Sequence, residues 1–95
     1  MRKERDVKDA VKKILRQHGI WYCMPHGAGY GLPGIPDFIC CQGGRFIGIE
    51  TKFGGNKLSP HQEQRRAEII AAGGVWLTVD EKNIGCLAAR LGSMT

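Results

Sequence analysis

Two short apolar runs joined by a Gly-Gly pair constrain the fold of this chain more than any other feature. The runs lie near residues 37–41 and 46–52, and Gly43-Gly44 stands midway between them. Two apolar runs around a two-residue glycine turn predict a β-hairpin. Both faces of these strands carry apolar side chains, which predicts a sheet that is covered by helices on both sides.

The register of that hairpin sets two acidic residues opposite each other. If the two glycines form the turn, Gln42 pairs with Arg45. Counting outward from this pair, Asp37 then faces Glu50. Directly opposed residues have Cβ atoms about 4.5–5.5 Å apart, where like charges are destabilising. Because Lys52 lies two residues beyond Glu50 and projects from the same face, the pattern predicts a place to hold a divalent cation against a phosphate.

The rest of the chain predicts a single α/β domain over residues 1–95, with the element order α-β-β-β-α-β-α. An apolar stripe at helical spacing predicts a first helix over residues 4–18, which Gly19 ends. Ser59, Pro60 and Gln62 form a capping box with proline in the first turn, and they predict the start of a second helix. The other expected elements are a strand over 20–24, the end of the second helix near Ala72, a strand over Val75–Val79, and a last helix from Asp80 through about Leu91.

Charge and apolar content restrict the possible partners. The chain has a net charge of +5, and residues 1–16 hold seven basic and three acidic residues. Such a segment suits a polyanion, although a solvated helix face gives the same pattern. No apolar run approaches the roughly 20 residues that cross a membrane, and because the first sixteen residues are mostly charged, we expect no signal peptide. We expect the four cysteines, Cys23, Cys40, Cys41 and Cys86, to be reduced core thiols of a cytoplasmic protein.

The spacing of the acidic residues is similar to a known nuclease motif. Pro36-Asp37, twelve intervening residues and then Glu50-Thr51-Lys52 resemble the PD-(D/E)xK pattern. The preceding helix with Glu4 and the following segment 58–62, Leu-Ser-Pro-His-Gln, narrow this to a resemblance to the VRR-NUC family, over nearly the whole chain. The resemblance implies a restriction-endonuclease-like core, with a mixed central sheet flanked by helices.

A metal site follows from the acids and, in part, from the resemblance. Mg²⁺ or Mn²⁺ between Asp37 and Glu50 would polarise a phosphate oxygen and activate a bound water. The resemblance implies the backbone carbonyl of Thr51 as a further ligand. Lys52 would then donate to the attacking water or to the phosphorane.

Further site residues have two explanations each. The resemblance implies that Glu4 is an accessory ligand of metal or water, but an acid at a helix N-terminus is also favourable by itself. It implies that Gln62 points into the site, but the capping box explains this glutamine as well. The candidate DNA contacts are Lys8, Lys12 and Arg16 on the first helix and His26, Tyr30 and Lys57 elsewhere.

One departure from the family pattern concerns an arginine. VRR-NUC members commonly carry arginine in the strand after the second helix, and residues 75–79 here contain none. A role carried by that arginine is therefore not expected in this chain.

The expected function is a metal-dependent DNA endonuclease that selects branched DNA such as a Holliday junction. Stand-alone members resemble homodimeric junction resolvases, and a small core would also benefit from dimerisation. Two alternatives stay open at this point. The domain could be a non-catalytic DNA-binding or assembly module with a nuclease-like fold, or a restriction-type nuclease that cuts linear duplex.

Overall fold

A four-stranded mixed sheet lies between helices. The computed structural model describes residues 1–26 and 31–93. The elements in chain order are α1 (Glu4–Gln17), β1 (Trp21–Cys23), β2 (Phe38–Gln42), β3 (Arg45–Thr51), α2 (Pro60–Ala71), β4 (Val75–Val79), a 3-10 turn (Ile84–Cys86) and α3 (Leu87–Gly92). The strand order is β1-β2-β3-β4, in which β1, β2 and β3 are antiparallel and β4 is parallel to β3. The predicted fold class and element order are confirmed.

The β2–β3 hairpin has the predicted register. Gln42 pairs with Arg45, and the pairing continues to the outer end of β2. Gly43 and Gly44 have φ values of 57° and 78°, the left-handed conformation that glycine adopts without a steric penalty. Asp37 directly precedes β2, so the next position outward sets it opposite Glu50.

The hydrophobic core fills the space between one face of the sheet and the helices α1 and α3. Every fourth position of α1 contributes to it, because such positions share one face of a helix. The buried members are Val7, Val11 and Leu15 of α1, Leu87 and Leu91 of α3, Ile20, and the strand residues Phe38, Cys40, Ile47, Ile49, Leu77 and Val79. This packing fixes the first turn of α1 beside the outer end of the hairpin.

Helix α2 covers the opposite face of the sheet, but only in part. A Cβ atom on Gly48 would lie 2.9 Å from Cγ of Pro36 and 3.6 Å from Cδ1 of Ile69, so glycine allows both to pack on β3. On the part of the same face that α2 leaves open, three residues are neighbours across β1, β2 and β3: Trp21, Cys41 and Phe46. Trp21 is 61% exposed and Phe46 is 40% exposed, so the predicted burial of both hairpin faces is wrong for this apolar row.

The last helix begins later than predicted. Oδ1 of Asp80 accepts hydrogen bonds from the backbone N–H groups of Lys82 and Asn83, both at 2.9 Å. Nδ2 of Asn83 donates to the carbonyl of Thr78 at 2.9 Å. These bonds form a turn that competes with helical geometry. Asp80 therefore caps a turn, and the α-helix begins only at Leu87. Strand β1 is also shorter than the predicted range 20–24.

The cysteines differ from the prediction in their burial. All four are unpaired, but only Cys40 is buried, whereas Cys23, Cys41 and Cys86 are exposed. Burial raises the pKa of the Cys40 thiol to about 12, which keeps it protonated. Three of the four predicted core thiols therefore lie at the surface. No helix within residues 1–26 and 31–93 has the length and apolar character to cross a membrane.

The loop before Asp37 is packed tightly against the start of α2. Gly34 has a φ of 85°, and a Cβ atom there would lie 2.4 Å from the backbone carbonyl of His61. The carbonyl of Pro33 accepts a long hydrogen bond, 3.4 Å, from Nη1 of Arg65. Arg65 is buried on α2, although it was not singled out in the sequence, and its Nε lies 3.0 Å from Oε1 of Glu68. The packing of this loop against α2 fixes the position at which the chain enters β2.

Replacing Gly34 by alanine should destabilise the fold for two reasons. Alanine disfavours a φ of 85°, and its Cβ atom would collide with the backbone of His61. We expect Gly34→Ala to lower the free energy of unfolding by about 2–4 kcal/mol, measured by urea denaturation. Gly73→Ala is the matched control, since Gly73 has a φ of 92° and no atom within 4 Å of the added Cβ. The control should lose only about 1–2 kcal/mol, the cost of the left-handed backbone alone. Equal losses in the two variants would contradict the tight packing of the loop on α2.

Candidate active site

Polar and charged side chains meet at the end of the hairpin opposite its glycine turn. At that end β2 begins, β3 finishes, and the first turns of α1 and α2 lie nearby. The side chains brought together are Glu4 and Lys8 from α1, Asp37, Glu50, Thr51 and Lys52 from the hairpin, and Gln62 from α2. Residues from three separate segments of the sequence therefore form one cluster.

The carboxylate of Asp37 is oriented by Thr51. Its Oδ2 accepts hydrogen bonds from the backbone N–H of Thr51 at 2.9 Å and from the Thr51 hydroxyl at 2.5 Å. The backbone N–H of Asp37 in turn donates to Oε1 of Glu50 at 3.2 Å. Hydrogen bonds to a charged group are stronger than neutral ones, so each acid is held by the strand of the other. The family resemblance implied a role only for the carbonyl of Thr51, whereas the structure gives this role to its buried hydroxyl.

Glu50 is the most deeply buried acid of the cluster, with 3% of its surface exposed. Its Oε2 lies 3.7 Å from Nζ of Lys52, which is the same-face neighbour that the spacing predicted. Burial and then the negative charge of Asp37 raise the pKa of Glu50 to about 7, although Lys52 opposes the shift. The site therefore resists full ionisation of both acids unless a further cation is present.

Gln62 has both of the roles that the sequence allowed. Its side-chain Oε1 accepts a hydrogen bond from the backbone N–H of Ser59 at 2.9 Å. The backbone N–H of Gln62 donates to the Ser59 hydroxyl at 3.2 Å. The remaining Nε2 donates to Oε2 of Glu50 at 2.9 Å. The capping box therefore fixes the amide so that its donor end faces the acid.

Lys8 lies at the site, although the sequence placed it among outer DNA contacts. Its Nζ is 3.3 Å from Oε2 of Glu4 and 3.9 Å from Oδ1 of Asp37. Glu4 and Lys8 are four residues apart, so they are neighbours on one side of α1. Once Glu4 was expected to face the site, this spacing was the signal that Lys8 lies there too.

The charges of the cluster do not balance. Three carboxylates, those of Glu4, Asp37 and Glu50, face the ammonium groups of Lys8 and Lys52, which leaves one negative charge when all five are ionised. Carboxylate oxygens are ligands that Mg²⁺ and Mn²⁺ prefer, so these residues fit a hard divalent cation. Within residues 1–26 and 31–93, no three His, Cys, Asp or Glu side chains are arranged to hold a metal by themselves. A metal at Asp37 and Glu50 would therefore need backbone or water ligands as well.

The other candidate DNA contacts lie outside this cluster. Lys12 and Arg16 continue from Lys8 along α1 at intervals of four residues, over about 12 Å of helix. Nζ of Lys12 lies 4.0 Å from Oδ1 of Asp9, and Arg16 is exposed. His26 and Lys57 are exposed as well, and Tyr30 lies outside the described residues.

The raised pKa of Glu50 should make the stability of the metal-free protein depend on pH. A group whose pKa is higher in the folded state contributes its stability below its unfolded pKa, and this is lost as pH rises through the folded value. For Glu50 that window runs from 4.5 to about 7. The parent should lose up to about 3 kcal/mol of stability across it, relative to Glu50→Gln.

Urea denaturation in EDTA at pH 4.5 and pH 8 measures this difference. Glu63→Gln, a change at an exposed glutamate of α2, is the matched control and should follow the parent at both pH values. If the parent and Glu50→Gln show the same pH dependence, Glu50 does not carry the unfavourable charge assigned to it.

The fold of this domain is similar to that of a domain of known structure. No protein-family model matches the sequence, and no curated protein is significantly similar to it. A solved structure described as a VRR_NUC domain superposes with a TM-score of 0.73, over 90% of this chain and 94% of that chain, at 21% sequence identity. An identity this low establishes the fold and leaves the chemistry to the site residues. The chain has the VRR-NUC domain fold.

Proposed function

We propose that this protein is a divalent-metal-dependent endodeoxyribonuclease that acts on branched DNA. The observation that carries the proposal is the pairing of the buried Glu50 with the half-buried Asp37, with Lys52 3.7 Å from Glu50. Burial and the negative charge of Asp37 raise the pKa of Glu50 to about 7, which favours a site that accepts a cation. The VRR_NUC-like fold supports a nuclease-type domain that processes DNA.

The proposed mechanism divides the work among the residues of the cluster. Mg²⁺ or Mn²⁺, when bound by Asp37, Glu50 and the Thr51 carbonyl, supplies Lewis acidity and a more acidic water. The hydroxyl of Thr51 holds Asp37 in the orientation needed for this. Lys52 donates a hydrogen bond to the attacking water or to the more negative phosphorane, which stabilises charge that develops only in the transition state.

Gln62 and Glu4 have supporting roles in this proposal. Gln62 restrains Glu50 through a 2.9 Å hydrogen bond, so that the carboxylate does not need to reorganise during the reaction. Glu4 lies at the rim with 39% of its side chain exposed, where it can bind a metal-associated water. Lys12 and Arg16 provide positive charge beside the site, which suits a phosphate backbone.

We further propose that the protein acts as a homodimer in a reducing, cytoplasmic environment. The exposed apolar row of Trp21, Cys41 and Phe46 supports self-association, because it contains no charge in a chain of net charge +5. Two-fold symmetry suits a four-way junction, which presents two equivalent strands. The exposed free thiols of Cys23 and Cys41 fit a compartment that keeps cysteines reduced.

The purified protein should cut a labelled four-way junction in Mg²⁺ or Mn²⁺ and not in EDTA. Asp37→Asn and Lys52→Ala should each lower the cleavage rate by at least about 100-fold, because one removes a charged ligand and the other the transition-state donor. Both variants should keep most of the affinity for DNA, since they change the inner site and not the outer basic surface.

Lys82→Ala is the control for loss of one lysine, because Lys82 is exposed next to the turn at Asp80. It should cut at the rate of the parent. Cleavage by Asp37→Asn at a rate near the parent's would refute the site. Binding without cleavage by the parent would favour an assembly module, and equal cutting of linear duplex would favour a restriction-type nuclease.

The parent should sediment as a dimer at micromolar concentration, and Trp21→Glu should be a monomer. Glutamate places a charge in the apolar row and would be buried unpaired in a dimer that covers this row. Ile70→Glu is the control, since Ile70 is also exposed, at 49%, but lies on α2 outside the row. A strictly monomeric parent, with and without junction DNA, would contradict the dimer.

A further inference from the structure

Lys8 faces the one oxygen of Asp37 that the rest of the described site does not bind. Oδ2 of Asp37 accepts both hydrogen bonds from Thr51. Oδ1 faces Nζ of Lys8 at 3.9 Å, and in residues 1–26 and 31–93 Lys8 is the cation that lies within 4 Å of this atom. Oδ1 is therefore the oxygen of Asp37 that is available to bind a metal. The ammonium group of Lys8 lies next to this oxygen.

The geometry of Lys8 allows it to leave that position. The 3.9 Å separation from Asp37 is longer than a direct hydrogen bond, whereas Glu4 is closer at 3.3 Å. The side chain of Lys8 is 31% exposed, and a lysine ammonium has a flexible four-carbon stem. Lys8 can thus turn away from Asp37 while α1 stays anchored in the core by Val7 and Val11.

We propose that Lys8 is an exchangeable counter-ion of this site, an inference that rests on the proposed metal-dependent function. Without metal, its ammonium neutralises part of the charge of Asp37 and Glu4. A divalent cation held by Asp37 would repel the ammonium, and Lys8 would then turn outward to contact a phosphate of the DNA. Lys8 is in this way a positioning residue that couples metal binding to DNA binding.

The coupling predicts opposite effects on two affinities. Removing the charge of Lys8 takes a competing cation from the site, so metal should bind about three- to tenfold tighter in the absence of DNA. The same change removes a phosphate contact that exists only in the metal-bound state. DNA affinity should therefore fall when metal is present and change little when it is absent.

Calorimetric titration of Mn²⁺ into the DNA-free protein tests the first effect. Lys8→Gln, which keeps most of the side-chain length, should bind Mn²⁺ more tightly than the parent, and Lys8→Arg should return to the parent's affinity. Lys12→Gln is the matched control, because Lys12 also pairs with an acid of α1 and is similarly exposed, at 34%. It should leave the affinity for Mn²⁺ unchanged.

Fluorescence anisotropy with a labelled junction, in EDTA and in Ca²⁺, tests the second effect. Lys8→Gln should weaken DNA binding in Ca²⁺ at least about threefold more than in EDTA, whereas Lys12→Gln should weaken binding equally in both. Equal weakening by Lys8→Gln in the two buffers would make Lys8 an ordinary phosphate contact and overturn the exchange.

The two proposals fail in different ways. If the parent binds Mn²⁺ and Lys8→Gln binds it no more tightly, the counter-ion role of Lys8 is refuted and the proposed nuclease stands. If the folded parent binds neither Mn²⁺ nor Mg²⁺, the metal-dependent function is refuted and the role of Lys8 is refuted with it.

Discussion

The opposition of Asp37 and Glu50 across the hairpin is the constraint around which this domain is organised. The register of β2 and β3 places the two acids together, and the two glycines of the turn set that register. A one-residue slip would turn every side chain of a strand to the other face and destroy both core and site. The same backbone pairing that builds the sheet thus creates an electrostatic conflict that the surrounding residues reduce but do not remove.

The neighbouring elements hold the two acids in place through contacts between segments that are distant in the sequence. The capping box of α2 fixes Gln62 against Glu50, and the tight approach of Gly34 to α2 fixes the entry to β2. The helices α1 and α3 bury their apolar faces on the other side of the sheet. The free energy gained by this burial can offset the repulsion between the two acids. The cluster is therefore held in one arrangement, as the proposed catalysis by charge stabilisation requires.

The sequence predicted the parts of this structure that depend on short-range pattern. Helix α1, the hairpin register and the capping box of α2 follow from spacing over a few residues, and the structure has them almost unchanged. It did not predict contacts between distant segments, such as Lys8 with Asp37, or the support of the Pro33 carbonyl by Arg65. It also missed the turn at Asp80, because an aspartate caps a turn and a helix with the same hydrogen bonds.

In the proposed function, the distribution of charge separates the region that attracts DNA from the region that carries out the chemistry. The chain as a whole is basic, with a net charge of +5, yet the cluster at the end of the hairpin has more acids than lysines. In the proposed function, a polyanion would be drawn to the basic side of α1 but repelled by the bare acids until a cation filled the site. Metal binding and DNA binding would then be coupled by electrostatics. Lys8 lies at the boundary between the two regions, where one ammonium group can belong to either of them.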